Sequence, residues 1–399
     1  MKIALLEWSC GGGLLDAATG HASQELCAEG WQMLKSLADG LADAGMDVVV
    51  PLASMADWQT APRAALHTAA RIVDLSHLAP ANFSSALHCW AEIASECDYA
   101  WVIAPEIDGL LSRILHYLRR QGHLLLNCHG DFLRNGSDKR LTASALTAAG
   151  IPHPPTTRWA QVDEAWLAAA AVPGSSAGHS QTNPQWIIKP ALGAGGAEQQ
   201  MVTHAQLLHM RASSAAAPAT PAADWLVQPW LSGQPASCTA IVDAHGQRHW
   251  LPLLSQDFES SHWLAAPGSS CPTSGLVGDG LASPTPHYVG CTYPCPALPA
   301  AAPRQLLEDT LDALGPGAYG AVGIDLLFHS LTHAWTVIEV NARCTTSLLA
   351  MTSAYRGNLV GDILQLLTSS SPTPAARFSS HLRPFQFRVA PVSPFAPRK

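Results

Sequence analysis

Two apolar strands joined by a short connection constrain the fold of this 399-residue chain more than any other feature. Residues 321–328 read AVGIDLLF, residues 335–341 read WTVIEVN, and residues 329–334 connect them. Apolar runs of this length are typical of buried strands, and the short connection predicts an antiparallel hairpin. Each strand carries one acidic residue among its apolar neighbours.

The two acids of this hairpin are predicted to lie opposite each other. Asp325 and Glu339 are equidistant from Thr332, so a hairpin that is symmetric about Thr332 pairs them on one face of the sheet. Asn341 shares that face, because side chains alternate along a strand. Two carboxylates so close together repel each other unless a cation lies between them. Hard oxygen ligands suit Mg²⁺, and the pattern predicts a magnesium site.

A second interpretation stays open, in which the hairpin lies at a sheet edge and its acids are exposed to solvent. Arg343 continues the polar face beyond Asn341, where its planar guanidinium can hold phosphate oxygens.

Strands alternate with helices in the N-terminal part, which predicts an α/β domain with a parallel, doubly wound sheet over residues 1–133. Strands are predicted at 2–7, 48–51, 99–104 and 124–127, with helices at 25–44 and 108–120.

Beyond residue 133 the chain becomes richer in strands, which predicts an α+β part. Ser137 and Asp138 can cap a helix over 139–149. Further strands are predicted at 186–189, 225–228, 238–242 and 251–255. Stretches rich in Ala, Pro, Ser and Gly predict loops at 172–184, 211–223 and 294–303, and a tail at 369–399.

The composition excludes several classes of protein. The formal net charge is −8, which disfavours sequence-independent binding of nucleic acid. The N-terminal apolar run is too short for a signal peptide, and no stretch approaches the roughly 20 apolar residues of a membrane span. The ten cysteines are scattered without the paired spacing of a metal site. These features predict a cytoplasmic protein with free thiols and small-molecule partners, and they leave a homodimer open.

A glycine-rich segment follows a predicted strand that ends in a lysine. Lys189 precedes PALGAGG, so Gly193, Gly195 and Gly196 can bring backbone N–H groups close to phosphates, although many such loops are merely turns. The segment lacks the GxxxxGK[ST] pattern of a P-loop. Lys139 lies in the first turn of its helix, where on its own it is better interpreted as an exposed helix lysine.

Taken together, these motifs resemble the ATP-grasp family in their order and spacing. Ser137-Asp138-Lys139 followed by GIPHP at 150–154 is similar to the start of an ATP-grasp domain. Lys189 with its glycine-rich loop resembles the second lysine and the phosphate lid of that family, and QPWLSG at 228–233 resembles its adenine hinge. Asp325 and the run EVNAR at 339–343 resemble its magnesium and phosphate signature.

The resemblance implies an ATP-grasp fold behind an N-terminal pre-ATP-grasp domain. It divides the chain into that domain, a small subdomain with the lid, a C-terminal subdomain with the hinge and the metal site, and a Ser/Pro-rich tail: residues 1–133, 134–224, 225–368 and 369–399. It implies ATP and Mg²⁺, with Mn²⁺ as an alternative. The residues that would bind the nucleotide are Lys139, Lys189, Gly193, Gly195, Gly196, Gln228, Pro229, Trp230, Leu231 and Ile338. The metal ligands would be Asp325, Glu339 and Asn341.

Three positions depart from the family pattern. Gln228 stands where the hinge usually has an acid, Gln234-Pro235 stands where many members have a ribose-binding acid, and Ala342 replaces the proline of the usual N-P-R run.

A narrower resemblance concerns shorter motifs. The run Glu7-x-x-x-GGG, Glu29-Gly30, IAPE at 103–106 and Arg343-x-TTS are similar to the tyramine–glutamate ligase branch, which is linked to the synthesis of methanofuran-type one-carbon carriers. That resemblance implies substrate-binding roles for Glu7, Gly11, Gly12, Gly13 and Glu106. Taken one at a time, these acids are equally well read as surface residues at strand ends.

The family resemblance implies a carboxylate–amine ligase that acts through an acyl phosphate and forms ADP. In that reading Lys189 and Arg343 are catalytic, because they stabilise charge on the transferring phosphoryl group. Two alternatives remain: an amino-acid or peptide ligase with other substrates, and an ATP-binding regulator without chemistry. A Rossmann dehydrogenase is excluded by the lack of GxGxxG after the first strand.

Overall fold

The structure is a computed structural model, and it describes residues 1–13, 24–53, 66, 70–75, 83–170, 185–194, 196, 198–212, 225–260, 286–373 and 378–389. The predicted loops at 172–184 and 211–223 lie almost entirely outside these residues. Residues 294–303 connect a strand to a helix without regular structure, as predicted.

A four-stranded parallel sheet forms the N-terminal part, as the alternating pattern predicts. Its strands run in the order β3-β2-β1-β4 and are β1 (Lys2–Glu7), β2 (Asp47–Leu52), β3 (Ala70–Asp74) and β4 (Tyr99–Ile103). Its helices are α1 (Gln24–Asp43), α2 (Phe83–Ser95) and α3 (Leu110–Arg120). The strand predicted at 124–127 is wrong, because that segment makes a single bridge, from Leu125 to Ala100. The sheet is instead completed by β3 at its opposite edge.

A short helix pair leads from this sheet to a small antiparallel sheet. The helices are α4 (Gly130–Gly136) and α5 (Lys139–Ala148), and the Asp138 side chain caps α5 by accepting from the Arg140 N–H at 2.9 Å. The small sheet has the order β5-β8-β6-β7, and α6 and α7 accompany it. Its elements are β5 (Thr157–Arg158), α6 (Glu164–Ala170), β6 (Gln185–Pro190), β7 (Gln200–Thr203), α7 (His204–Ala212) and β8 (Trp225–Pro229).

The boundary predicted at residue 225 is misplaced by one strand. β8 pairs with β6 on one side and with β5 on the other, so it belongs to the small sheet. The chain passes to the large sheet between Pro229 and Gln234.

The large sheet is antiparallel and has the order β14-β13-β9-β11-β12-β15, with β10 paired to β9. Its strands are β9 (Gln234–Val242), β10 (Arg248–Trp250), β11 (Leu254–Ser260), β12 (Pro286–Tyr293), β13 (Gly320–His329), β14 (Ala334–Asn341) and β15 (Phe385–Arg388). Helix α8 (Arg304–Ala313) precedes β13, and α9 (Thr346–Ala354) and α10 (Leu359–Thr368) follow β14. The strand predicted at 251–255 begins later, at Leu254.

The predicted hairpin is present, with an irregularity that the sequence did not reveal. Asp325 is paired with Glu339, as predicted. Nearer the turn the register is shifted by one residue, so that Leu326 faces Val337. Ile338 is the extra residue of this bulge, and the bulge offsets a turn that is not centred on Thr332.

Residues 378–389 are part of the fold, which corrects the predicted tail over 369–399 for this described segment. β15 adds an edge strand to the large sheet by pairing with β12. Phe378 is 2% exposed and packs in the same core cluster as residues of α1 and α10. The Ser/Pro-rich composition hid this role, because the apolar residues that anchor the segment are few and widely spaced.

Replacing Phe378 by alanine should therefore destabilise the protein, because removing a buried aromatic ring leaves a cavity that costs about 3–5 kcal/mol. Thermal unfolding would show a clear fall in the apparent Tm. Phe258→Ala is the matched control, since Phe258 is 43% exposed. Equal Tm values for the two variants would show that the segment after α10 does not pack on the core.

Candidate functional site

The centre of the site is the pair of acids on the β13–β14 hairpin. The Asp325 carboxylate accepts hydrogen bonds from the Gln256 side chain at 2.9 Å and from the Asn341 side chain at 3.1 Å. Asp325, Glu339 and Asn341 thus lie on one face, as the alternation of the strands predicts. The edge-hairpin interpretation is wrong for β13, which lies between β14 and β9.

Burial and mutual repulsion shape the charges of this pair. Burial, reinforced by the charge of Glu339, raises the pKa of Asp325 to about 6. Burial acts to raise the pKa of Glu339 as well, but the charges of Lys139, Lys189 and Arg343 outweigh it and lower that pKa. Glu339 is therefore held ionised by cations, whereas burial and the charge of Glu339 disfavour the ionised form of Asp325.

Two lysines from other elements face these acids. Lys139, at the start of α5, places its Nζ 3.1 Å from Glu339 Oε1 and 2.5 Å from the Gly193 carbonyl oxygen. Lys189, on β6, is 6% exposed. Burial lowers the pKa of Lys189 to about 8, with a further decrease from Lys139 that Glu339 and Asp325 oppose. The exposed-lysine reading of Lys139 is wrong, because its amine lies between the small and large sheets.

The donor set at this centre fits a divalent cation. Two carboxylates and an amide share a face, and burial together with the charge of Glu339 disfavours the ionised form of Asp325. Within the described residues no three His, Cys, Asp or Glu side chains are grouped to hold a metal. Two acids with an amide oxygen and a polyphosphate suit Mg²⁺, which keeps several ligands from substrate and water.

A cleft opens beside the centre, between the small sheet and β14. It is lined by Lys139, Thr142, Ala143, Leu146, His153, Pro154, Thr156, Lys189, Gln228, Ile338 and Glu339. Lys139, Lys189 and Glu339 are its charged residues, and the rest of the lining is divided between apolar and uncharged polar side chains, which suits a base with a phosphate chain.

The predicted hinge lies at the edge of this cleft. The Gln228 side chain donates to the Thr156 hydroxyl at 2.7 Å. The Trp230 N–H donates to the Gln185 carbonyl at 2.9 Å, and Pro229 has no N–H. Of the predicted hinge residues, Gln228 lines the cleft, and the Trp230 N–H is paired with Gln185 of β6.

The glycine-rich loop meets the N-terminal domain as well as Lys139. The Asp108 N–H approaches the Leu192 carbonyl at 3.4 Å, and the Lys139 N–H donates to the Ala191 carbonyl at 3.1 Å. Gly196 has a φ of +71°, which favours glycine. Gly195 lies outside the described residues.

Arg343 links the hairpin to the N-terminal domain. Its Nε donates to both carboxylate oxygens of Glu106, at 2.9 and 2.8 Å, and one Nη donates to the Cys344 carbonyl. Glu29, on α1, is close enough for its pKa to respond to both charges. Burial is the main cause that raises the pKa of Glu29, Arg343 opposes the rise, and Glu106 adds to it.

The remaining predicted substrate residues have packing roles. A Cβ at Gly11 would lie 2.8 Å from the Trp90 ring, and one at Gly13 would lie 2.0 Å from the Trp8 ring. Gly12, between them, has a φ of +98°. Glu7 is 2% exposed and accepts from the Cys10 N–H at 2.6 Å. It also lies beneath Gly30, where a Cβ would be 2.4 Å from Glu7 Oε1. The surface reading of Glu7 and Glu106 is wrong, since both are buried.

Sequence reasoning missed Gln256, Thr156 and Glu29 as site residues. Glu29 could have been found from the sequence, because it precedes Gly30 in one of the motifs of the narrower resemblance. The other two come from strands and loops distant in sequence, and no spacing pattern connects them to the centre.

Comparison with known families decides the identity of the fold. A profile of the ATP-grasp domain matches residues 136–347, which is more than half of the chain. The chain belongs to the ATP-grasp family. A profile of the pre-ATP-grasp domain matches residues 50–131 of this ATP-grasp protein. A search of curated proteins finds no match.

Solved structures support the same fold. An ATP-grasp superfamily protein from Archaeoglobus fulgidus is 18% identical, with a TM-score of 0.58 over 97% of this chain and 92% of that one. N5-carboxyaminoimidazole synthetase from Staphylococcus aureus, complexed with ADP, is 13% identical, with a TM-score of 0.59 over 93% of this chain and 78% of that one. Biotin carboxylase from Campylobacter jejuni is 14% identical, with a TM-score of 0.60 over 93% of this chain and 72% of that one.

The predicted ATP-grasp fold behind a pre-ATP-grasp domain is thus confirmed. No helix among the described residues is long and apolar enough to cross a membrane.

The buried Glu7 makes a testable link between pH and stability. Burial raises its pKa from 4.5 to about 7, opposed by hydrogen bonds from Cys10 and Ser9. The folded state therefore holds the proton more tightly than the unfolded state, and Glu7 destabilises the fold as pH rises from about 5 to 8. The full effect is about 3 kcal/mol. Glu7→Gln should raise the apparent Tm relative to the native protein at pH 8 and hardly at all at pH 5.

Glu96→Gln is the control for this pH series. The pKa of the exposed Glu96 is lowered by Arg71 and Lys2, so its contribution is already complete above pH 5. The Tm difference between this variant and the native protein should stay constant from pH 5 to 8. A constant difference for Glu7→Gln as well would contradict the raised pKa of Glu7.

Proposed function

We propose that the protein joins a carboxylate to an amine through an acyl phosphate and that the cleft between its two antiparallel sheets binds ATP. The observation that carries this proposal is the convergence of Lys139, Lys189 and the Asp325–Glu339 pair at one end of that cleft. Cations and paired acids gathered in this way suit the distal phosphates of a nucleotide rather than its base.

The protein's own residues contribute position and charge. Lys139 and Lys189 neutralise phosphate oxygens, and the hinge residues 228–231 bind the base. A carboxylate oxygen of the substrate attacks the γ-phosphorus, and the bond between that phosphorus and the β,γ-bridging oxygen breaks to release ADP. The amine then attacks the carbonyl carbon, phosphate leaves with the carbonyl-bound oxygen, and the amine loses a proton. No protein nucleophile takes part.

Asp325, Glu339 and Asn341 are the residues that would hold Mg²⁺, which when bound would neutralise charge on the β- and γ-phosphates. The hydrogen bond from Gln256 fixes the orientation of the Asp325 carboxylate for this role.

Arg343 is positioned to act on the transferring phosphoryl group. Glu106 holds its Nε, which leaves an Nη group to donate toward the charge that develops during transfer. Glu29 and Glu106 place negative charge near Arg343, which favours the approach of a cationic amine from the N-terminal domain.

The substrate pair follows from the narrower sequence resemblance rather than from the fold. Glutamate as the carboxylate and tyramine as the amine are the first pair to test, in the context of one-carbon cofactor synthesis. An amino-acid or peptide ligase of different specificity is the second candidate, and the acids around Arg343 favour an amine substrate in both cases. An ATP-binding regulator without chemistry is disfavoured by the presence of both lysines, the three ligands and Arg343.

Product analysis tests the chemistry. Purified protein with ATP, Mg²⁺, L-glutamate and tyramine should release ADP and phosphate in step with the amide formed, since the carboxylate attacks the terminal phosphorus. Chromatography of the nucleotides and mass spectrometry of the amide measure both. AMP and pyrophosphate would overturn the acyl-phosphate mechanism. ADP release with other carboxylates or amines, but not with this pair, would reject the substrates and keep the ligase.

Arg343→Lys separates catalysis from nucleotide binding. The lysine keeps a positive charge but loses the planar fork, so kcat should fall by about 10²-fold or more. The rise in Tm on adding ATP and Mg²⁺ should persist, because the nucleotide is held mainly by other groups. Arg71→Lys is the matched control, an exposed arginine paired with Glu96, and should change neither quantity. An unchanged kcat for Arg343→Lys would remove Arg343 from the mechanism.

A further inference from the structure

A second cleft lies apart from the nucleotide cleft, between α1 of the N-terminal domain and α9. Its lining includes side chains of both helices and of the segment before α9: Met33, Ser36, Leu37, Cys344, Leu348 and Leu349. Most of these side chains are apolar, and Leu37 and Leu348 are almost fully buried. The cleft therefore suits an apolar or aromatic group rather than a phosphate or a metal ion.

The α1 wall of this cleft continues a row of side chains that begins at Glu29. Positions 29, 33, 36 and 37 recur at helical spacing, so they lie on one face of α1. Glu29 is one helical turn from Met33, about 5 Å along the axis, and Ser36 is about 10 Å from Glu29. The row thus has an acid at one end, apolar side chains in the middle and a hydroxyl at the other end.

Glu29 belongs to a group of charges in which the acids outnumber the cation. Both Arg343 and Glu106 influence the pKa of Glu29, so the three side chains lie close together. Arg343 donates from Nε to both carboxylate oxygens of Glu106, at 2.9 and 2.8 Å. Glu29 is therefore a second carboxylate beside one guanidinium, and a cationic ligand at Glu29 would offset the excess of negative charge.

The hydroxyl at the other end of the row has lone pairs to offer to a ligand. Ser36 Oγ lies 2.7 Å from Thr352 Oγ1 on α9, and the Thr352 hydroxyl donates to the Leu349 carbonyl at 2.7 Å. Because Thr352 uses its proton on that carbonyl, Ser36 is the donor in the pair. The Ser36 oxygen can then accept a hydrogen bond from a group in the cleft.

The order of these groups defines the chemistry of a ligand. An acid, an apolar channel and a hydrogen-bond acceptor match a primary amine whose ring carries a hydroxyl at its far end. Arg343 precedes Cys344 of the cleft in the chain, so an ammonium at Glu29 would lie beside the residue proposed to act on the phosphoryl group.

We propose that the cleft between α1 and α9 is the specificity pocket for the amine substrate, in which Glu29 pairs with the ammonium group and Ser36 accepts from the ring hydroxyl. This inference rests on the proposed ligase function and names the class of its second substrate, a hydroxylated arylalkyl amine. Met33, Leu37 and Leu348 enclose the ring.

Glu29→Gln tests the charged end, because the amide keeps the shape and removes the charge. The KM for tyramine, measured by phosphate release with L-glutamate and ATP, should rise by about 10- to 100-fold. The KM for ATP should stay unchanged. Glu92→Gln is the matched control, an exposed acid on α2 that pairs with His88, and should change neither value. An unchanged KM for tyramine in Glu29→Gln would overturn the pocket.

The opposite end is tested by pairing a variant with a changed substrate. The native protein should have a KM for tyramine about 2- to 10-fold lower than for 2-phenylethylamine, which lacks the ring hydroxyl. Ser36→Ala should remove this difference by raising the KM for tyramine alone. Equal KM values for the two amines in the native protein would contradict the role of Ser36.

The width of the pocket is tested by filling it. Leu349→Phe should raise the KM for both ring amines and leave the KM for methylamine unchanged, since methylamine needs only the acid. Leu208→Phe, at a 37% exposed helix leucine of the small subdomain, is the control and should have no effect. An unchanged KM for tyramine in Leu349→Phe would show that the ring does not enter the cleft.

A binding measurement separates this pocket from the proposed reaction. With ADP and Mg²⁺ present, tyramine should raise the Tm of the native protein and of Glu92→Gln, but not of Glu29→Gln. That result without phosphate release would reject the proposed substrate pair and keep the pocket. Equal shifts in all three proteins, or no shift in any, would reject the pocket even if the protein is an active ligase.

Discussion

Buried charges that meet between the small and the large sheet are the interaction on which this site depends. Asp325 and Glu339 come from one hairpin, whereas Lys139 and Lys189 come from a helix and a strand on the other side of the cleft. Removing each ion from water costs several kcal/mol, and that cost is offset only when opposite charges lie close by. The two sheets must therefore approach each other for any of the four side chains to be stable where it is.

This balance also explains why a nucleotide and a divalent cation would bind together. The lysines outweigh burial at Glu339 and lower its pKa, whereas burial and the charge of Glu339 raise the pKa of Asp325. A polyphosphate alone would add repulsion at Asp325, and a dication alone would add repulsion at Lys139 and Lys189. A polyphosphate bound together with a dication would place negative charge near the lysines and positive charge near Asp325. The four buried side chains therefore form a site for both ligands rather than a closed ion-pair network.

Sequence reasoning reached the parts of the structure that local patterns control. The parallel sheet and the hairpin follow from runs of apolar residues with a recognisable period, and the pairing of Asp325 with Glu339 follows from their spacing. That pairing is correct, although the assumed turn centre at Thr332 is not. The real turn is centred earlier, and the extra residue at Ile338 brings Asp325 and Glu339 back opposite each other. A bulge depends on packing against neighbouring strands, and nothing in the local pattern marks it.

The features that sequence reasoning missed depend on contacts between distant segments. Composition favoured a tail after residue 368, but Phe378 is buried in the same core cluster as residues of α1 and α10, with its ring 6.3 Å from that of Tyr355. Thr156 and Gln256 reach the site from elements with no motif of their own. The predicted substrate role of the glycines in the N-terminal turn stays a prediction, and the rings of Trp8 and Trp90 add a packing reason for the lack of side chains at Gly11 and Gly13.

Two other glycines place the groups that surround Arg343. Gly30 lets α1 lie against the end of β1, over Glu7, and so brings Glu29 toward the guanidinium. Gly323 lets the start of α9 lie on the large sheet, which brings Thr345 toward the same region from the opposite side. Arg343 itself is held by Glu106, a residue of the N-terminal domain. The orientation of the residue best placed to stabilise phosphoryl transfer therefore depends on the contact between the N-terminal domain and the large sheet. A change that separated those two parts would release Arg343 from Glu106 and leave a buried carboxylate unpaired. For this reason the contact is expected to be retained throughout the reaction, and any opening that admits substrates is expected on the side of the small sheet.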